Sequence, residues 1–231
     1  MLRNILRKYL PFIGEFKRSI VAFKDKHLPK RSTYSQYKED VLIYEIIKSY
    51  NFSKENNLYI DIGAFHPTQI SNTYLLYRND YRGVLIEPNY QLFKILEKYR
   101  QGDILINAGA GADNCTMELS IADSPDRSSL IKQNDIRYKK SIRIPVLRLD
   151  DIMKTINYNS IIFLSIDVEG FNLDVLKGAK ETLAKTFLLC IEFDNEYDRI
   201  RYENVIGDKF ELVKSIKCNL IYRNKTITVK Q

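Results

Sequence analysis

Short apolar runs alternating with segments of helical periodicity restrict the fold of this 231-residue chain more than any other feature. Leu58 to Ile62, Gly83 to Ile86, Asp103 to Asn107, Ile161 to Ile166 and Phe187 to Phe193 have the near-continuous hydrophobicity of strands covered on both faces. Between them, Asn72 to Tyr81 and two apolar stripes predict helices. The stripes are Leu92, Phe93, Leu96 and Tyr99, then Leu173, Leu176, Ala179 and Leu183, all at three- and four-residue spacing. Strands that alternate with helices need crossover connections, which gives an α/β fold of Rossmann-like type: a mostly parallel twisted sheet with helices on both faces. The end of the chain changes style. Phe210 to Ile216, Leu220 to Arg223 and Thr226 to Val229 read as strands without long helices between them, with Asn224-Lys225 turning the last pair into a hairpin. An antiparallel strand is therefore expected near the C-terminus.

The first 33 residues form a separate segment, leaving 34–231 as the α/β domain. Leu2, Ile5, Leu6, Tyr9, Ile13, Phe16, Ile20 and Phe23 recur at helical spacing with Lys and Arg between them, a basic amphipathic helix or two short ones broken near Pro11. Residues 1–31 hold nine basic and two acidic side chains, which equals the net charge of +7 of the whole chain. The other 200 residues thus balance 27 basic against 27 acidic groups. A neutral body is poorly equipped to gather a polyanion, so a nucleic-acid partner is not expected. The N-terminal stripe is too short and too charged to cross a bilayer, and no secretory cleavage site follows it. It can pack on the domain or lie peripherally on a membrane surface, and it is expected to be dispensable for chemistry on a soluble acceptor. Thr33 and Gln36 offer a capping box for the helix that follows, ending about Tyr50. Three widely spaced cysteines and two histidines encode neither a disulfide framework nor a zinc site and fit a reducing cytoplasm.

Chemistry gathers at the ends of the apolar runs. Asp61-Ile62-Gly63-Ala64-Phe65-His66 carries a strand into a glycine turn, and Gly63 permits a close backbone approach. The later glycines of a dinucleotide fingerprint are absent, which disfavours a pyrophosphate and leaves a nicotinamide-dependent oxidoreductase as the alternative enzyme class. Glu87 ends the second run in Glu87-Pro88-Asn89, where a carboxylate accepts both hydroxyls of a ribose. Ile166-Asp167-Val168-Glu169-Gly170 delivers two carboxylates to the end of a fourth run; were the backbone extended to Glu169, both would share a face. Asp167, Glu169 and His66 are the candidates for accepting a proton, and a divalent ion bound at the carboxylates is a further possibility. Asp113, after a Gly/Ala-rich turn, offers an acceptor to an amino group, and Ser124 to Ser129 form a small polar loop suited to an acceptor site.

Five motifs then occur in a familiar order: Ser35-Gln36-Tyr37-Lys38-Glu39-Asp40, Asp61-Ile62-Gly63-Ala64, Ile86-Glu87-Pro88-Asn89, Ile144 to Asp151, and Ile166 to Gly170 with Val175-Leu176-Lys177-Gly178. Together they cover residues 34–193 and resemble the FkbM family of methyltransferases. The resemblance implies O-methylation of a sugar hydroxyl of a glycan or of another small molecule, with S-adenosylmethionine as cofactor. It puts Asp61, Gly63, Ala64, Glu87, Pro88 and Asn89 at the cofactor and Asp167 and Glu169 near the reacting centre. Lys38 stands where the family usually has glycine, and His66-Pro67 replaces an Asn-x-Gly. A non-enzymatic membrane-associated module is a third reading, which leaves the strand-end carboxylates without a purpose; oligomeric state is not encoded in any of these features.

Overall fold

The computed structural model describes residues 17–25, 31–123, 127–134 and 136–228. In chain order the elements are α1 (residues 17–25), α2 (Glu39–Ser49), β1 (Asn57–Ile62), α3 (Tyr74–Arg78), β2 (Arg82–Ile86), α4 (Tyr90–Tyr99) and β3 (Ile104–Ile106). Then follow β4 (Gly109–Ala110), β5 (Cys115–Ala122), β6 (Tyr138–Leu147), α5 (Leu149–Lys154), β7 (Ser160–Ile166), α6 (Asn172–Lys177), α7 (Lys180–Ala184), β8 (Thr186–Glu192), α8 (Glu196–Ile206), β9 (Phe210–Ile216) and β10 (Asn219–Asn224).

The main sheet has seven strands in the order β3-β2-β1-β7-β8-β10-β9, parallel except where β10 runs against both β8 and β9. Alternation along the buried strands splits the core in two. Leu58, Ile60 and Ile62 of β1 pack with Leu149, Val175, Leu176 and Ile206 from α5, α6 and α8, whereas Tyr59 packs with Ile43, Leu76 and Leu96 from α2, α3 and α4. The strand order reverses between β1 and β7, the place where an open α/β sheet forms a crevice at its carboxyl edge.

Several expectations need correction. The C-terminal hairpin turns at Lys217-Cys218 between β9 and β10; residues 224–225 end β10 instead, and 226–228 form no strand. Val229 lies outside the described residues. The helix expected across Leu173 to Leu183 is broken at Gly178, where a side chain would collide with the Gly111 carbonyl oxygen. Buried Asp150 then receives the N–H groups of Glu181 and Thr182, at 3.1 and 2.8 Å, and caps the new helix α7. The capping box at Thr33 and Gln36 does not form. Asp40 is the hub, accepting from Thr33 Oγ1 at 2.6 Å, Tyr34 N at 2.7 Å and Ser35 Oγ at 2.7 Å. Lys38, before it, has φ 68°, which explains glycine as the ordinary occupant of that position.

The hairpin of β5 and β6 was not expected at all. It joins β4 in a second, three-stranded sheet with its own small core of Leu119, Ile121, Ile144 and Val146.

Of the N-terminal segment, residues 1–16 and 26–30 lie outside the described residues. The helix α1 packs on the body: Ala22 is buried against Ile95 and Tyr99 of α4, and the Tyr99 hydroxyl donates to the Ser19 carbonyl at 2.9 Å. No helix among the described residues is long and apolar enough to cross a membrane.

Candidate functional site

At the carboxyl ends of β1, β2 and β7 lies an open cleft whose empty space, open solvent included, is about 570 Å³. Gly63, Phe65, Glu87, Pro88, Asp167 and Glu169 are among its lining, so three of the sequence motifs converge on one space. Leu92 and Ala108 supply apolar wall beside Glu87, and Leu119, Ser128, Ser129 and Leu130 of the second sheet and its loop close the other side.

Gly63 has φ +80°, and a side chain there would collide with the Asp167 carbonyl oxygen. The close approach that demands glycine is thus between the ends of β1 and β7, before any ligand is considered. Glu87 is held by two backbone donors: Asn89 N at 2.7 Å on Oε1 and Phe65 N at 3.0 Å on Oε2. Each carboxylate oxygen keeps a second lone pair for a ligand hydroxyl. Burial pushes the Glu87 carboxyl up to about 7, against the lowering effect of those two donors.

The β7 end carries the acids. The strand stops at Ile166, and Glu169 turns left-handed at φ 49°, its carbonyl tied to Ser129 Oγ at 2.6 Å. The expected extended run to Glu169 is therefore absent, yet the turn still brings its side chain beside Asp167. Glu192, at the end of β8, joins them: Asp167, Glu169 and Glu192 can each offer one oxygen with all three within 4.8 Å of one another. Burial and the facing Glu192 carboxylate push the Asp167 carboxyl well above the ordinary carboxylate range. Glu192 is also raised, chiefly by burial, while a hydrogen bond from Asp167 works the other way, so the two carboxyls take up protons as a pair. Such a cluster can pass a proton or hold a hard divalent cation through oxygen donors.

Glu192 escaped sequence reasoning. It ends an apolar run just as Glu87 does, and that position was the available signal.

Other candidates stand around the cavity rather than in it. Asp61 is buried behind it, accepting from Thr73 Oγ1 at 2.6 Å. Arg100, wholly buried and paired with Asp103 at 2.8 Å, bonds the same Thr73 hydroxyl at 3.1 Å, the Tyr59 hydroxyl at 2.9 Å and the Pro67 carbonyl at 3.1 Å. Ala64 is buried, and Asn89 caps α4 by accepting from Gln91 N at 3.1 Å, so both support the loops that carry Gly63 and Glu87. Asp113 is exposed at the start of β5 and is not in the lining. His66 is buried with both ring nitrogens engaged. Nδ1 accepts from Thr68 N at 3.2 Å and Gln69 N at 3.0 Å, which leaves Nε2 to donate to the Arg18 carbonyl at 3.2 Å. Burial lowers its pKa to about 4, so the ring is a neutral brace for the loop, away from the acids. Residues 124–126 of the polar loop lie outside the described residues.

A parallel sheet whose order reverses, with Glu87 and an acidic cluster at one crevice, is an architecture that open α/β sheets use to bind nucleoside cofactors. Residues 61–212 match the model of the methyltransferase FkbM domain, and the chain belongs to that family. The 2-O-methyltransferase NoeI of Sinorhizobium fredii is 29% identical over 107 residues, 46% of this chain and 44% of that protein. The chain thus spans less than half the length of this curated relative. The crystal structure of methyltransferase FkbM from Methylobacillus flagellatus KT superposes with a TM-score of 0.53 at 16% identity, covering 91% of this chain and 60% of that one, a likeness of fold.

Proposed function

We propose that this chain is an S-adenosylmethionine-dependent O-methyltransferase whose acceptor is a sugar hydroxyl of a glycan or related small molecule. The observation that carries the reading is the convergence of Glu87 and of Asp167 with Glu169, from different strands, on one cavity. The cavity fits the cofactor: an acceptor for a ribose diol beside apolar wall, and no nest of glycine N–H groups for a phosphate. When bound, S-adenosylmethionine supplies a methyl group already activated by its sulfonium. Gly63, Glu87 and Pro88 hold it, with Ala64 and Asn89 behind them. Asp167 and Glu169 face the acceptor and align its hydroxyl, which is most of what such a transfer asks of a protein. As the acceptor oxygen gains its methyl group, its proton passes to Asp167, whose own proton moves to Glu192. The pair begins with one proton and ends with two, so no outside base is required.

Incubation with methyl-labelled cofactor and fractionated cell glycans is expected to leave label on carbohydrate in an alkali-stable ether. Calorimetry showing binding of a nicotinamide dinucleotide and none of S-adenosylmethionine would overturn the reading in favour of an oxidoreductase.

The N-terminal segment supports a peripheral membrane contact. Lys17, Ile20 and Lys24 are exposed on one face of α1 while Ala22 and Asp25 are buried on the other. A basic segment gains about 1 kcal/mol per Lys or Arg near an anionic leaflet. The full chain is expected to co-sediment with anionic vesicles at low salt and to dissociate at high salt; equal sedimentation with neutral vesicles would sink the electrostatic account.

A further inference from the structure

We propose that α1 is a working part of the cofactor site, because it clamps the turn that positions Phe65 and Glu87. The inference rests on the cofactor reading above and concerns what holds that site in shape. The turn from Phe65 to Thr68 begins with Phe65 at φ 46°, a left-handed residue whose N–H donates to Glu87 Oε2 and whose side chain lines the cavity. A non-glycine residue in that region is strained and persists only when its surroundings over-determine it. Two of those surroundings come from α1. His66 Nε2 donates to the Arg18 carbonyl, and Thr68 Oγ1 donates to Asp25 Oδ2 at 2.8 Å in a buried bond. Asp25 is fixed in turn by Arg31 on Oδ1 at 2.9 Å and by Arg78, which donates to its backbone carbonyl at 2.7 Å. From the body, Arg100 holds the Pro67 carbonyl. The turn is thus gripped between a buried arginine and a helix that the sequence suggests is an appendage. Releasing α1 frees Phe65 from its left-handed state and leaves Glu87 with one firm donor in place of two.

The segment is therefore not dispensable for chemistry, even on a soluble acceptor. Coupling of this kind is reciprocal, so the cofactor must also hold the helix down.

The test uses the full chain and two readouts. Thr68→Val removes the donor to Asp25 at nearly constant volume, and the dissociation constant for S-adenosylmethionine is measured by calorimetry well below the melting temperature. A rise of about 5- to 10-fold, the size of one lost hydrogen bond, is expected, with KM for the cofactor rising more than kcat falls. In the wild type, amide hydrogen exchange in residues 17–25 is expected to slow when S-adenosylmethionine is added. An unchanged dissociation constant in the variant together with unprotected α1 amides would overturn the inference while leaving the cofactor reading intact. Failure of the wild-type chain to bind S-adenosylmethionine would overturn both. A variant too unstable to measure leaves the exchange experiment, in which lack of protection by bound cofactor is by itself decisive against the clamp.

Discussion

Asp167→Asn is expected to lower turnover about 10²- to 10⁴-fold while leaving the affinity for S-adenosylmethionine near that of the wild type. The amide mimics the protonated acid: its N–H donates to Glu192 as the shared proton does, so the fold around β7 and β8 is kept. What is lost is the ability to take a proton from the acceptor. Glu192→Gln separates the two carboxylates' roles. Without Glu192 the relayed proton has no acceptor, and Asp167, its carboxyl still raised by burial, must be ionised to take the proton itself, so turnover is expected to fall at neutral pH and to recover as pH rises. Turnover should be unaffected by a chelator; loss in chelator and recovery with magnesium would give the acidic cluster to a cation instead. Near-normal turnover of Asp167→Asn would remove Asp167 from the proton path altogether.

Glu87→Ala is expected to weaken cofactor binding by about 1–3 kcal/mol, the range for charge-assisted hydrogen bonds to a ribose diol. A folded variant with an unchanged dissociation constant would remove Glu87 from the site. The same carboxyl gives wild-type binding a pH dependence. With its pKa at about 7 in the free protein, the ionised acceptor is depleted as pH falls from 8 to 6, and affinity should fall with it. Stability runs the other way. The folded pKa lies above the unfolded 4.5, so this group's contribution is fully present below 4.5 and is lost as pH rises to about 7, amounting to about 3 kcal/mol. His66 acts oppositely: its folded value of about 4 lies below 6.5, so stability is lost as pH falls through that interval. Glu87 thus weakens the empty fold at the pH where it best serves the cofactor.

The sheet was legible because strands buried on both faces must be apolar throughout, and β1, β2, β7 and β8 obey that rule. The β5–β6 hairpin carries the other strand signal: Met117-Glu118-Leu119-Ser120-Ile121 and Ile142-Arg143-Ile144-Pro145-Val146 alternate apolar with polar or exposed residues, and the apolar members form the second core. That pattern is missed when only continuous apolar runs are sought. Strand-end position pointed to Gly63, Glu87 and Asp167, which the fold brings to the lining of one cavity, since a carboxylate closing an apolar run must meet a partner or a ligand. It also pointed to Asp61, which lies one residue inside the end of β1 and accepts from Thr73, a partner of Arg100, outside the cavity lining. Asp113 and His66 were chosen for chemistry that residue type permits, and type carries no information on where a side chain points. The grip of α1 on the Phe65 turn depends on contacts between residues 48 and 43 positions apart, one of them through the Arg18 backbone carbonyl, which no side-chain pattern encodes.

The second sheet has a consequence for how such an enzyme diversifies. Leu119, Ile144 and Val146 form a core of their own, and Gly109, Ala110 and Leu119 of this sheet line the crevice with Glu87. Substitutions at Leu119, Ile121 and Ile144 bear on this small core, whereas Leu147, at the end of β6, packs against the core of the seven-stranded sheet and ties the two together. On the function proposed above, the lining contributed by the second sheet and its loop can change to suit a different acceptor, while Gly63 and Glu87 stay pinned at the strand ends of the main sheet. Ser129, bonded to the Glu169 carbonyl, is a further stitch between the two sheets, and a lineage that changes its acceptor has reason to keep that one residue.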